Sequence, residues 1–244
     1  MMIDMSAIRS DITGRTICFG HQSVGFNIIA GICDLMAKDD SLDLPIRETS
    51  DLENQPGPVL AHFRNGVNRD WQSKIDAFQA AIRKGLGRVP DMALFKFCYV
   101  DITADTDVRE VWAAYQRTMQ QLEGEFPATI FLHVTVPLQT AGAGWKQWLQ
   151  KFWGQTKVGV PADNIRRNEL NALFREQYGR SGRLFDLARV EATRPDGRRE
   201  LFVARGTRYE ALAREFTDDG GHLNEPGRMA VAANFLKTLA NAGG

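Results

Sequence analysis

The most constraining feature of this sequence is that short apolar runs alternate with segments of helical periodicity along almost its whole length. The apolar runs predict strands at 16–19, 42–49, 91–100, 128–136 and 184–188. The segments between them predict helices at 24–37, 70–84, 107–124, 163–178 and 224–241. This alternation predicts an α/β protein, a three-layer α/β/α sandwich with a parallel sheet of about five strands.

The chain's length and charge limit its organisation and its partners. A chain of 244 residues without a linker or an internal repeat predicts a single domain over residues 1–244. Thirty basic residues offset thirty acidic ones, for a formal net charge of zero. A chain without net charge has no global attraction for nucleic acid or an anionic membrane, so neither is expected as a partner. The oligomeric state is not indicated.

The cysteines and histidines give no sign of a cofactor. The three cysteines, Cys18, Cys33 and Cys98, are odd in number and irregularly spaced, which argues against a disulfide framework and a zinc site. No histidine pair has metal-ligand spacing on one helix, and we expect neither a metal nor another cofactor. The N-terminus lacks the apolar core of a signal peptide, which favours a cytoplasmic location.

The first chemically suggestive motif is Phe19-Gly-His-Gln-Ser-Val-Gly25, at a predicted corner from strand to helix. A serine at the start of a helix has backbone N–H groups nearby that can stabilise a developing oxyanion. Taken alone, Ser23 is more simply explained as a helix N-cap.

The second motif is Asp218-Asp-Gly-Gly-His-Leu-Asn224, immediately before the last predicted helix. The two glycines let the side chains of Asp219 and His222 leave one small loop together. A carboxylate that holds one imidazole nitrogen leaves the other nitrogen free to take a serine proton. The spacing favours Asp219 over Asp218 as that carboxylate, although a surface turn that caps a helix is the simpler reading of this motif alone.

The two motifs belong together because a corner after the first strand and a loop before the last helix meet at one rim of such a sheet. This arrangement resembles the SGNH (GDSL-like) hydrolases, in a divergent branch where His21-Gln-Ser23 stands for the usual Gly-Asp-Ser. The resemblance spans residues 16–239 and implies the flavodoxin-like SGNH fold. It also implies that Ser23 is the nucleophile, His222 the general base and Asp219 its orienting carboxylate.

The resemblance further implies oxyanion donors, and here the sequence departs from the family pattern. The N–H groups of Ser23 and of Gly66 would be two donors. The family places a third donor, an asparagine, after the third strand, where alignment by the flanking acid gives Val100 instead. We hypothesise that Asn68 or Asn65 replaces it. His21, beside the nucleophile, either contacts substrate or shapes the turn.

The resulting function hypothesis is hydrolysis of a carboxylic ester through an acyl-Ser23 intermediate. A small acyl group such as acetyl on a carbohydrate is the favoured substrate, because Trp145, Trp148 and Trp153 could form a platform for sugar rings. One alternative is acyl transfer to a sugar hydroxyl. A second is a binding module that retains the fold with little activity, as the departure at Val100 would allow.

Overall fold

The computed structural model describes residues 12–39, 42–53, 55, 57–84, 88–141 and 160–242. Its strands are β1 Thr16–His21, β2 Ile46–Glu48, β3 Val59–Arg64, β4 Met92–Phe95, β5 Ile130–Phe131, β6 His133–Val134, β7 Leu184–Phe185, β8 Leu201–Ala204 and β9 Thr207–Glu210. Its helices are α1 Val24–Lys38, α2 Trp71–Arg83, α3 Val108–Glu125, α4 Val160–Tyr178, α5 Leu187–Glu191 and α6 Glu225–Ala242.

The main sheet has five parallel strands in the order β2-β3-β1-β4-β5. Strand β6 follows β5 after one residue and pairs in parallel with β7, His133 opposite Leu184. Two antiparallel strands, β8 and β9, form a separate hairpin. The predicted parallel sheet of about five strands is therefore confirmed, although its members differ from those predicted.

Three strand predictions need correction. The strand predicted at 184–188 ends at Phe185, and helix α5 begins at Leu187. Strand β3 lies in a segment for which the sequence predicted no strand, because His62 and Arg64 interrupt its apolar run. The strand predicted at 91–100 ends at Phe95, and residues 99–101 form a turn of 3₁₀ helix instead. The residues between them are buried, which explains why their apolar sequence resembles a strand.

Both faces of the sheet are covered, as the continuously apolar strands predict. On β1, Ile17 and Phe19 pack into a core with α1 and α6, whereas Cys18 faces the opposite core with α2, α3 and α4. The same alternation along β4 sends Met92 and Leu94 to the first core. The result is the predicted three-layer sandwich, with its helices divided between two faces.

Helices α1 and α6 pack closely because Gly31 has no side chain at their contact. A Cβ on Gly31 would collide with the backbone carbonyl oxygen of Arg228, which α6 presents at that point. The Arg228 Nε also donates to Asp34 at 2.6 Å, which joins the same two helices. This contact sets the relative position of two predicted site residues, because α1 begins just after Ser23 and α6 begins just after His222.

No helix among the described residues is long and apolar enough to cross a membrane.

The contact at Gly31 generates a stability prediction. We expect Gly31→Ala to lower the free energy of unfolding by about 1–3 kcal/mol, the usual cost of overpacking, because α6 presents backbone there rather than a movable side chain. The matched control is Gly124→Ala in α3, where a Cβ would meet nothing within 4 Å. Alanine's higher helix propensity should make that variant equal to or slightly more stable than the wild type. Urea denaturation measures both, and equal effects would contradict the packing argument.

Candidate active site

Ser23 is held in a strained conformation at the corner between β1 and α1. Its backbone has φ 51° and ψ −115°, outside the regions that side-chain-bearing residues normally occupy. Such strain costs about 1–3 kcal/mol and occurs most often at functional sites. Ser23 makes no side-chain cap to its own helix. Ser23 therefore stands at the N-cap position of α1 without capping the helix through its side chain, and capping does not explain a serine here.

The buried side chain of His21 packs beneath the turn that contains Ser23. It is fully buried, and its Nε2 lies 3.1 Å from the Nδ1 of His62. Burial, followed by the charge of Lys96, lowers the pKa of His21 to about 2, so the ring is neutral. Gly25 makes room for it, since a Cβ there would collide with the imidazole. Of the two roles considered for His21, the structure favours shaping the turn, because a substrate cannot reach a fully buried ring.

The loop before α6 is organised by the carboxylate of Asp219. Its Oδ1 accepts the backbone N–H groups of Gly221 at 2.8 Å and His222 at 2.7 Å. The Thr217 hydroxyl accepts the N–H of Gly220, whose φ of +89° suits glycine. Farther along, the N–H of Leu223 donates to the side chain of Asn27 in α1. The loop is thereby fixed both internally and against the helix that follows Ser23.

The structure brings the three predicted triad side chains into one hydrogen-bonded series. Asp219 Oδ2 lies 2.6 Å from His222 Nδ1, and His222 Nε2 lies 2.8 Å from Ser23 Oγ. Burial raises the pKa of Asp219, but hydrogen bonds from the His222 side chain and from two loop amides outweigh it and lower that pKa to about 2. Asp218 is turned elsewhere and accepts from the side chain of Asn224.

Gly66 lies beside the serine turn, at the end of β3. The Gln22 side-chain amide donates to the Gly66 carbonyl oxygen and, at 3.3 Å, to that of Asn65. Gly66 has φ +61° and packs so closely on α2 that a Cβ would overlap the backbone of Ser73 and Lys74. Among the described residues, the N–H groups of Ser23 and Gly66 donate to no protein atom.

The two asparagines considered as further donors differ. The side-chain amide of Asn65 is buried, and one of its two N–H groups donates to the carbonyl oxygen of Lys74. Asn68 is exposed, and its Oδ1 accepts from the Lys74 ammonium at 3.0 Å. This bond leaves the Asn68 N–H groups available, but no contact joins Asn68 to the triad.

The turn after β4 places Tyr99, rather than Val100, against the triad. The Tyr99 hydroxyl lies 3.5 Å from His222 Nε2, and its ring meets the imidazole edge-on with centroids 5.7 Å apart. Asp101 holds the turn by accepting the N–H groups of Cys98 and Arg69, both at 2.7 Å. The carboxylate of Asp101 thus ties this turn to the loop that contains Gly66.

A cavity of about 450 Å³ adjoins this turn, and Tyr99, which contacts His222, forms part of its lining. Its lining is an aromatic ring, Trp71, together with polar and charged side chains, among them Thr103, Gln139, Asp163 and Arg167. A larger depression of about 740 Å³ lies between the start of α3 and the side of α4. Neither lining includes Ser23, Asp219 or His222, but the smaller cavity is lined by Tyr99, whose hydroxyl contacts His222. The smaller cavity is therefore the better candidate for a substrate subsite.

Two further expectations concern residues around the site. In the part of the chain that the structure describes, no group of three or more His, Cys, Asp or Glu side chains could hold a metal ion. Trp145, Trp148 and Trp153, the predicted sugar platform, lie outside the described residues.

Comparisons with known proteins bear on the fold. No protein-family model matches the chain, and no curated protein matches its sequence. A solved structure provisionally named a platelet activating factor, from Streptococcus pneumonia, superposes with a TM-score of 0.54 at 14% identity, over 92% of this chain and 83% of that one. The chain has a flavodoxin-like α/β fold, which it shares with that solved structure.

Two more distant structures are similar at lower scores. A provisionally named lipolytic protein of the G-D-S-L family from Desulfitobacterium hafniense DCB-2 has a TM-score of 0.48 at 8% identity, over 91% of this chain and 98% of that one. The periplasmic domain of a lipopolysaccharide acetyltransferase from Salmonella ser. Paratyphi A has a TM-score of 0.43 at 12% identity, over 95% and 86%. At these identities the likenesses concern the fold alone.

Sequence reasoning assigned no role to Gln22 and undervalued Tyr99 and Asp101. Gln22 lies inside the serine motif, so its position next to Ser23 is a usable signal. At the end of a predicted strand, Tyr99 either faces the site or packs in the core, and core packing is the simpler interpretation of the sequence. Aligning that strand by its flanking acid also draws attention to the neighbouring Val100. The 3₁₀ turn that aims Tyr99 at the triad has no periodic pattern in the sequence from which it could be predicted.

The strain at Ser23 predicts an unusual stability difference. Ser23→Gly should be more stable than Ser23→Ala by about 1–2 kcal/mol, because glycine adopts a positive φ without the clash of a Cβ. Both variants lack the hydroxyl, so the lost hydrogen bond to His222 cancels in the comparison. Chemical denaturation of the pair measures the difference. An alanine variant at least as stable as the glycine variant would show that the turn is unstrained.

Proposed function

We propose that the protein is a serine esterase that hydrolyses carboxylic esters through an acyl-Ser23 intermediate. The observation that carries the proposal is the continuous path from Asp219 Oδ2 through both nitrogens of His222 to Ser23 Oγ, with separations of 2.6 and 2.8 Å. A serine needs an adjacent base to become nucleophilic at neutral pH, and the base needs a third group to fix its orientation. This geometry supplies both.

The proposed reaction has two steps. The Ser23 oxygen attacks the ester carbonyl carbon while its proton passes to His222 Nε2, and the carbonyl electron pair moves onto the oxygen. The bond to the alcohol then breaks, and the alcohol leaves with the proton from His222. In the second step His222 takes a proton from water, the hydroxide attacks the acyl carbon, and Ser23 recovers its proton as the acid is released.

The negative charge that develops on the carbonyl oxygen must be stabilised by hydrogen-bond donors that do not already bond another protein atom. The N–H groups of Ser23 and Gly66 meet this requirement within the described residues, and the start of α1 adds the positive end of a helix dipole. Preorganised donors of this kind commonly contribute more to the rate than any other single feature of an acyl-transfer site.

For the substrate we propose a small acyl group, such as acetyl, on a carbohydrate. The cavity that shares Tyr99 with the triad combines the Trp71 ring with side chains able to donate and accept hydrogen bonds. Aromatic rings pack against the apolar faces of sugars, and the polar groups would bind their hydroxyls. A volume of about 450 Å³ is within the usual range for small-molecule pockets. Such a lining fits a sugar better than a fatty chain.

Solvent exposure favours hydrolysis over transfer to a sugar. The side chains of His222 and Asp219 are 46% and 57% exposed, so water reaches the base that must activate it. Efficient acyl transfer requires water to be excluded from the acyl-enzyme. The remaining alternative, a binding module, has no chemical need for a base oriented by an acid.

The triad predicts a specific labelling result. A fluorophosphonate should add to Ser23 of the intact protein, and the adduct should be absent from Ser23→Ala and His222→Ala, as mass spectrometry can show. Asp219→Asn should lower kcat/KM for p-nitrophenyl acetate by about 10²–10⁴, because the imidazole loses its orienting charge. The matched control Asp218→Asn should stay within about twofold of the wild type, since within the described ranges the Asp218 side chain bonds Asn224 and no triad residue. Folded protein that gives no adduct would refute the proposal.

The choice between hydrolysis and transfer can be measured directly. With an acetylated monosaccharide as donor and a free sugar as acceptor, acetate should account for most of the acetyl released, because the triad is open to water. Chromatography of the sugars and an enzymatic assay of acetate give both products. Acetylated acceptor in excess over acetate would identify a transferase instead. If neither sugar is used while simple acetate esters are cleaved, the carbohydrate assignment fails and the esterase assignment stands.

A further inference from the structure

The Tyr99 hydroxyl and the Ser23 hydroxyl approach the same nitrogen. His222 Nε2 lies 2.8 Å from Ser23 Oγ and 3.5 Å from the Tyr99 oxygen. Tyr99 is half-buried and packs partly against the core, while its hydroxyl contacts the exposed imidazole of His222. No other tyrosine hydroxyl in the described residues contacts a triad side chain.

The Tyr99 ring is fixed on several sides. A Cβ on Gly221 would lie 3.0–3.2 Å from the hydroxyl end of the ring, so this glycine allows the triad loop to pack directly on the phenol. The guanidinium of the buried Arg167 stands 5.6 Å from the ring centroid, and its Nε donates to the Tyr99 carbonyl oxygen at 2.9 Å. Asp101 holds the same turn. A donor held in this way is preorganised, which is what an oxyanion site requires.

The phenol also stays in its donor form. Burial and then the charge of Asp219 raise the pKa of Tyr99, while the nearby Ser23 side chain has a smaller opposing effect. The hydroxyl is therefore protonated across the pH range in which an esterase works. It can donate a hydrogen bond without transferring its proton.

We propose that the Tyr99 hydroxyl is a catalytic residue, the side-chain oxyanion donor that Val100 cannot be. The inference rests on the proposed esterase function and adds one group to it. As Ser23 attacks and its proton moves to His222, the Tyr99 O–H donates a hydrogen bond to the carbonyl oxygen that gains the electron pair. The phenol keeps its proton throughout, so the proton balance of the two steps does not change. When the alcohol leaves, the carbonyl re-forms and this bond weakens.

Tyr99→Phe removes this hydroxyl and leaves the ring. Its kcat for p-nitrophenyl acetate should fall about 10²-fold, the effect of losing one oxyanion donor, with KM within about twofold. The matched control is Tyr209→Phe in the β8–β9 hairpin, where the same atom is removed from a ring that stacks on Phe202. That control should keep the wild-type kcat. A Tyr99→Phe variant with the wild-type kcat would overturn the proposal.

A boronic acid separates donation to the oxyanion from mere support of His222. It forms a tetrahedral adduct on serine whose oxygen occupies the oxyanion position, so Tyr99→Phe should weaken inhibition by about the same factor as kcat/KM. Unchanged inhibition beside a lower kcat would assign Tyr99 to positioning the histidine and overturn the donor role. If circular dichroism shows that Tyr99→Phe does not fold, a protein with 3-fluorotyrosine at position 99 is tested in its place. This analogue keeps the ring and hydroxyl, and an unchanged kcat and pH profile would count against the proposal.

The two hypotheses fail differently. If the wild-type protein is neither labelled at Ser23 by a fluorophosphonate nor active on p-nitrophenyl acetate, the esterase function fails and the Tyr99 role fails with it. If the wild-type protein is labelled and active while Tyr99→Phe matches it, the Tyr99 role alone is wrong.

Discussion

The close packing of α1 on α6 is the constraint on which the candidate site depends. Ser23 and His222 are 199 residues apart in sequence, yet their side chains meet at 2.8 Å. Each lies just before the first turn of one of these helices, so the distance between the helices sets the distance between the two side chains. Gly31 allows that distance by leaving the backbone of α6 room to approach. A residue with no side chain, a full two turns from the serine, therefore bears on the geometry of the candidate site.

The loops at the rim are tied to one another as well as to the sheet. Gln22 joins the serine turn to the Gly66 loop, and Asp101 joins the Gly66 loop to the Tyr99 turn. The Tyr99 ring in turn packs on Gly221 of the histidine loop. Because each loop is held by its neighbour, a hydrogen-bond donor in any of them is positioned before substrate arrives. Preorganisation of this kind avoids the cost of reorienting dipoles during the reaction.

The fold, and the proximity of Ser23, Asp219 and His222, could be predicted from the sequence for different reasons. The layers can be predicted because strand-like apolar runs alternate with segments of helical periodicity. These patterns reflect which residues are buried and can be recognised without knowing which residues are in contact. The motifs around Ser23 and His222 are each short and local in the sequence. One follows the first predicted strand and the other precedes the last predicted helix, so both are expected at the same rim of a parallel sheet. Strand β3 was missed because His62 and Arg64 disguise its apolar run. Tyr99 could not be assigned, because the direction of its side chain depends on a 3₁₀ turn fixed by Asp101 through contacts distant in sequence.

Perturbed ionisation does not by itself mark the chemistry of this protein. Burial raises the pKa of Glu191 to about 8, yet this carboxyl accepts the N–H of Leu138 and fixes the loop after β6. Burial lowers the pKa of Arg167 to about 10, and its guanidinium binds carbonyl oxygens of the turn at Tyr99. Both groups hold backbone in place. Glu191 is fully buried, out of a substrate's reach, and Arg167 lies at the margin of the cavity. The groups assigned to proton transfer are instead exposed, because a base that must activate water has to remain in contact with it.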